Sequence, residues 1–116
     1  MGIGKAFCDG LLEQGEVILV RFQFTDPQDY KIRPAIVVSN NSFNRKFHPF
    51  VCPITSKSHS ENFQINDKLI EGSFGRESFV RTNVIATIHP ELILKTIGKA
   101  EKEAILELKE KLVKNL

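Results

Sequence analysis

For most of its length the chain alternates short apolar runs with polar breaks, and it changes to a helical period only near its end. Residues 16–23, Glu-Val-Ile-Leu-Val-Arg-Phe-Gln, are rich in β-formers and only partly alternating, which predicts a largely buried strand. Gly15 in front of this run gives the chain freedom to turn. A polar loop over residues 24–32, holding Asp26-Pro27, leads to a second predicted strand over 33–38. Pro34 suits the start of that strand, where no ladder donor is needed. Asn40-Asn41-Ser42 then breaks it and offers a short helix its start. A third strand is predicted over 50–54, and its Pro53 argues for an edge or a bulge. Beyond a polar loop over 56–61 come a short alternating strand (62–65) and a turn-rich connection (67–75). Two further strands, 78–81 and 92–97, are separated by His89-Pro90.

The tail has another character. From Lys99 onward Ile105, Leu108, Leu112 and Leu116 recur at helical spacing, with Ala104 and Val113 in the same stripe. Glu101, Lys102, Lys109 and Lys114 fall on other faces, so the segment predicts an amphipathic helix. Its stripe fits packing on the sheet or against a second subunit. The expected fold class is mainly β with helices (α+β): a small barrel closed by a C-terminal helix.

Composition narrows the class. At 116 residues the chain is long enough for one domain with a core and too short for two. Its 41% hydrophobic and 26% charged residues are ordinary globular values, which argues against disorder. No apolar stretch approaches the roughly 20 residues of a membrane span. Lys5 and Asp9 interrupt the opening residues, which therefore lack the apolar core of a secretion signal. A cytoplasmic protein is the expectation. Cys8 and Cys52 are isolated, with neither metal-ligand nor redox-pair spacing, so two thiols are expected in preference to a disulfide.

The net charge of +2 says less than its distribution. Between residues 28 and 60 Lys31, Arg33, Arg45, Lys46 and Lys57 face Asp29 alone, whereas the flanking segments lean acidic. Such a local excess suits a polyanionic ligand; a solvated, mildly basic surface is the plainer alternative.

Two runs carry the candidate chemistry: Arg33-Pro34-Ala35-Ile36-Val37-Val38-Ser39 and Cys52-Pro53-Ile54-Thr55-Ser56. An arginine enters the first and a threonine-serine pair leaves the second. A guanidinium fork and a hydroxyl meeting at strand ends form a compact phosphate site. The quieter alternatives are an Arg33 ion pair with Asp26 or Asp29, and turn-forming roles for Thr55 and Ser56. His48 and His59 lie in polar loops and titrate near neutrality, His59 only four residues past Thr55, whereas His89 beside Pro90 reads as structural. Phe24, Tyr30 and Phe47 lie in or beside loops, where a ring can stack on a base; the other phenylalanines read as core.

The order Gly15-Glu16-Val17, the arginine-proline pair heading an aliphatic strand, Pro53-Ile54-Thr55-Ser56, then a closing strand and helix resembles the MazF/PemK (Kid-like) family of toxins from type II toxin–antitoxin systems. The similarity runs from about Gly15 to the C-terminus, and the lead-in Ile97-Gly98-Lys99 shares it. The resemblance implies one domain over 1–116: an N-terminal extension (1–13), an SH3-like barrel (15–98) and a C-terminal helix (99–116). It implies a homodimer, away from membranes, that cleaves single-stranded RNA without metal or other cofactor and is silenced by a cognate antitoxin. The cleavage would proceed by 2′-hydroxyl attack, leaving a 2′,3′-cyclic phosphate and a 5′-hydroxyl.

By position Arg33 matches the family's catalytic arginine and Thr55 its catalytic hydroxyl residue. Arg81 falls where some members place a second active-site arginine, and Asn83 where those members place an aspartate. An amide cannot accept a proton from a ribose hydroxyl at neutral pH, which leaves the general base open. Arg81, Asn83, Ser56 and His59 are thus further candidates for catalysis or RNA contact, and Lys31, Lys57, Arg45 and Phe24 for RNA binding. Two other readings stand beside this one: a non-catalytic RNA- or protein-binding small barrel, and a dimer that has lost RNA contact and only engages its antitoxin.

Overall fold

The computed structural model describes residues 12–23, 30–58 and 63–116. Phe24, His59, Asp26, Asp29, Cys8 and most of the N-terminal extension lie outside the described residues. In chain order the elements are β1 (Glu16–Gln23), β2 (Tyr30–Val37), α1 (Asn41–Lys46), β3 (Phe50–Thr55), β4 (Phe63–Gln64), β5 (Leu69–Glu71), β6 (Phe79–Val80) and β7 (Ala86–Thr87). A 3₁₀ turn (Pro90–Leu92), β8 (Ile93–Ala100) and α2 (Lys102–Lys114) complete the chain.

The strands form one antiparallel sheet in the order β4-β6-β3-β2-β1-β8-β5, with β7 also on β3. Chain length forces this sheet to curl. β4 and β5 sit at opposite ends of the order, yet only residues 65–68 join them. Five residue steps reach about 18 Å at most, whereas seven strands laid flat span about 29 Å. The two edges must therefore approach, and a half-barrel results. The joining segment turns through a bond from the Lys68 amide to the Ile65 carbonyl (3.1 Å).

Each face of the curled sheet buries its own core. Inside, Val17, Ile36, Cys52, Ile54, Phe63, Ile65 and Val80 pack against Ala104, Leu108 and Leu112 of α2. Outside, Ile18, Val20, Ala35, Val37 and Val51 pack with Leu12, Ile88 and Ile93. Gly15 ties these layers together at φ +94°, in the left-handed region. Its amide donates to the Val37 carbonyl and its carbonyl accepts from the Ala100 amide, both at 2.8 Å. A β-carbon there would collide with the Ile105 side chain of α2.

Several boundaries differ from expectation. β2 starts at Tyr30 rather than at Arg33, because residues 30–32 pair with Gln23, Phe22 and Arg21 across the hairpin. β5 lies inside the expected turn-rich connection, paired to Ala100 and Lys99 of β8. β8 consequently runs to Ala100 and α2 starts only at Lys102. The helix packs on the sheet, but Val113 and Leu116 leave its buried stripe, at 68% and 91% exposed. Val113 stands about 100° round the helix from Leu112, and Leu116 lies past the helix end. Pro53 is on no edge: β3 is interior, and the proline marks the last residue bonded to β2. Asn40 caps α1 by accepting from the Phe43 amide (2.8 Å), as its sequence suggests. Among the described residues no helix is long and apolar enough to cross a membrane.

Candidate functional site

β2 and β3 are bonded from Val37↔Val51 to Ala35↔Pro53, and there the ladder stops. The same register carried two residues further sets Arg33 across from Thr55. Alternation puts both on the outer face, where Ala35, Val37 and Val51 are buried. At this end of the sheet two clefts adjoin: Phe22, Pro53 and Thr55 line one from the outer face, and Pro34, Ile54 and Phe74 line the other from the inner-core side. Arg33, Ile54 and Thr55 belong to both.

The larger cleft, about 590 Å³, has Lys31, Arg33 and Pro34 of β2 on one side and Thr55 and Ser56 on another. Its far wall is Phe74, Gly75, Arg76 and Ser78, from the connection between β5 and β6. The smaller, about 320 Å³, is formed by Phe22, Arg33, Pro53, Thr55, Lys57 and Arg81. Arg81 reaches it because β6 pairs with the end of β3, and the Arg81 amide donates to the Pro53 carbonyl at 2.9 Å. Five cations thus line the two clefts with no described carboxylate or imidazole among the lining residues. Arg33 is exposed and has no carboxylate partner among the described residues.

Thr55 is half-buried, and its Oγ1 accepts from the Lys57 amide at 3.2 Å. The turn-forming alternative is therefore real but incomplete. A hydroxyl that accepts one bond keeps its proton for a second partner. That proton is available to a partner in the cleft region Thr55 shares with Arg33.

The remaining sequence candidates are scattered. Asn83 sits exposed on the turn after β6 and lines neither cleft. Arg45 is in the last turn of α1, which precedes β3, while Thr55 ends that strand. His48 lies at the same early end, its ring 4.5 Å from that of His89. His89 Nδ1 accepts from the Glu91 amide at 3.2 Å and so caps the 3₁₀ turn. Phe47 packs on Phe43, ring centroids 5.0 Å apart, beside the Phe43–Phe50 pair. Cys52 is a buried thiol whose pKa burial pushes up to about 12, which makes it inert. No three of the described His, Cys, Asp and Glu residues stand together as a metal cage.

Phe74, Arg76 and Ser78 were not candidates on sequence. They follow Thr55 by about twenty residues and reach it only because the sheet curls. The one available signal was a basic residue in a glycine-bounded turn.

Comparison with known proteins accords with this architecture. The curated sequences contain no match. The chain is similar in fold to the Mycobacterium tuberculosis toxin MazF-mt6 (TM-score 0.66, 17% identity, 84% of this chain and 94% of that one). Deinococcus radiodurans MazF is similar at TM-score 0.67 and 18% identity, covering 89% and 94% of the two chains. So is an endoribonuclease in complex with its cognate antitoxin from a mycobacterial species, at TM-score 0.67 and 15% identity over 90% and 91%. Residues 13–116 match the family model of PemK-like, MazF-like toxins of type II toxin–antitoxin systems, and the chain belongs to that family.

Proposed function

We propose that this toxin is a metal-independent endoribonuclease that cuts single-stranded RNA at the Arg33–Thr55 cleft. What carries the reading is one geometric fact: both groups line the same solvent-open clefts, whose charged described lining residues are all cations. In the reaction the ribose 2′-oxygen attacks the adjacent phosphorus and loses its proton to a base. The bond from phosphorus to the 5′-oxygen breaks, and that oxygen gains a proton. The products are a 2′,3′-cyclic phosphate and a 5′-hydroxyl. Arg33 offers its fork to two phosphoryl oxygens as their charge grows, and Thr55 donates one neutral hydrogen bond to the same phosphate. Donors placed in this way are worth roughly 3–4 kcal/mol each. Arg81 and Lys57 take the neighbouring backbone charge in the smaller cleft.

The toxin acts in the cytoplasm as a homodimer. A cognate antitoxin silences it by laying an acidic segment over the cation-lined clefts. A solved structure of a similar mycobacterial endoribonuclease with its cognate antitoxin supports that partnership.

The test is a long single-stranded transcript incubated with pure protein in chelator, with the ends mapped. Cyclic-phosphate ends are expected, and Arg33→Ala should lower kcat by roughly 10²–10³. No cleavage across varied sequences, or an unimpaired Arg33→Ala, removes the proposal. One observation favours a second reading, a barrel that binds RNA without cutting it. No described residue lining the clefts can take a proton at neutral pH, and Asn83, at the position where the resemblance implies an aspartate, lines neither cleft. Salt-sensitive binding with the RNA left intact would decide for it.

A further inference from the structure

The wall opposite Arg33 and Thr55 is a loop, yet it is pinned at both ends. At its start Gly72 has φ +81°, and a β-carbon there would strike the Ile97 carbonyl and Gly98 Cα of β8. Only glycine lets the two backbones come so close. At its end one side chain holds two backbone groups. Asn66 Nδ2 donates to the Arg76 carbonyl (2.8 Å), and Asn66 Oδ1 accepts from the Ser78 amide (2.7 Å). The Ser78 hydroxyl adds a third bond to the Arg76 carbonyl (3.1 Å). Between these anchors Phe74 is half-buried against the inner core, so its ring has a fixed seat.

Arg76 projects from this pinned backbone into the larger cleft and has no carboxylate partner among the described residues. Its neighbour Glu77 is held at 3.4 Å by Gln64 Nε2 and does not line the cleft. A loop anchored at both ends that presents a guanidinium and a seated aromatic ring on one cleft wall is matched to one nucleotide, charge to phosphate and ring to base.

We propose that the connection between β5 and β6 forms a subsite for the nucleotide next to the scissile linkage. Arg76 binds its phosphate, Phe74 provides a face for its base, and Asn66 acts as the positioning residue. This rests on the ribonuclease reading of the cleft and deepens it: base choice at one flanking position is made on this wall.

The experiment pairs steady-state cleavage of a long transcript with binding of a labelled, randomised-sequence 2′-O-methyl 20-mer, which cannot be cut. Arg76 is exposed, so its substitution should cost the fold little. Arg76→Ala should raise KM and the 20-mer Kd about tenfold, far more than it lowers kcat, as expected for one lost charge-assisted contact. The slope of log K against log salt should shrink by about 0.7–1. Phe74→Leu, which keeps an apolar group on the core, should broaden the mapped cleavage sites at one flanking base. Asn66→Ala should reproduce the rise in KM yet add little in an Arg76→Ala background, a coupling that general destabilisation does not produce.

Unchanged KM, Kd and salt slope in Arg76→Ala, beside an active wild type, overturn the subsite and leave the ribonuclease reading standing. A fall in kcat at constant KM overturns it too, because Arg76 would then act on the reacting phosphate. If the wild type binds RNA without cutting it, Kd and slope alone still decide. If it neither binds nor cuts, both proposals fall.

Discussion

Thr55 shows how much a single hydroxyl can be asked to do. Its oxygen already holds the Lys57 amide, so the turn after β3 and the donor into the cleft depend on one atom. Thr55→Val keeps the branched shape and the strand preference while removing both bonds. If the Thr55 hydroxyl donates to the reacting phosphate, kcat should fall by roughly 10²–10³ with the melting temperature little changed. Thr55→Ser should retain most of the activity. Equal rates for the valine and wild-type proteins would leave Thr55 as a turn residue only. At this scale the sequence was legible where the partners lie on strands in simple register, as Arg33 and Thr55 do. It was not where curvature delivers the residue, as with Arg76. Arg45 illustrates the converse: it belongs to the same basic stretch as Lys57, but the extended β3 lies between them, about 17 Å of strand.

At the scale of elements, apolar runs identified β1 and β3 to within a residue, because each is buried among its neighbours. Two short strands escaped. β5 and β7 have two or three residues each, with half-exposed side chains, and exist only because β8 and β3 offer edges. The junction of β1 with β8 also holds a charge cluster that no local pattern reveals. Lys99 Nζ meets Glu13 Oε1 at 2.5 Å, and Glu16 beside them accepts from the Glu13 amide at 2.6 Å. Burial, then the neighbouring Glu13 charge, raises the Glu16 pKa, against the opposing pull of that amide bond, Lys99 and Thr96. A carboxyl raised in the folded state favours folding when protonated. Its contribution is complete below the unfolded value near 4.5 and is lost as pH rises through the folded value. At pH 7 the ionised Glu16 therefore favours folding less than its protonated form does. Glu16→Gln keeps an acceptor for the Glu13 amide and should raise the melting temperature at pH 7, with the gain vanishing by about pH 4. A loss of stability at pH 7 would mean that attraction to Lys99 outweighs burial.

For the whole molecule, net charge is a poor guide to what an RNA strand meets. The protein measures 34 × 33 × 30 Å, several times the Debye length of about 8 Å at physiological salt. Acidic groups more than one such length from the clefts are largely screened from them. On the proposed reading a bound strand would meet chiefly Lys31, Arg33, Lys57, Arg76 and Arg81, which line the clefts. If three to five phosphates are neutralised there, log K should fall against log salt with a slope of about −2 to −3.5. Between 50 and 250 mM salt that is a loss of roughly 30- to 300-fold for a 2′-O-methyl single strand. The overall charge of +2 predicts hardly any such dependence, so the measurement separates a focused cleft from diffuse attraction. A drop of less than about threefold would mean that the clefts do not take a polyanion, and the phosphate role of Arg33 would fall with them.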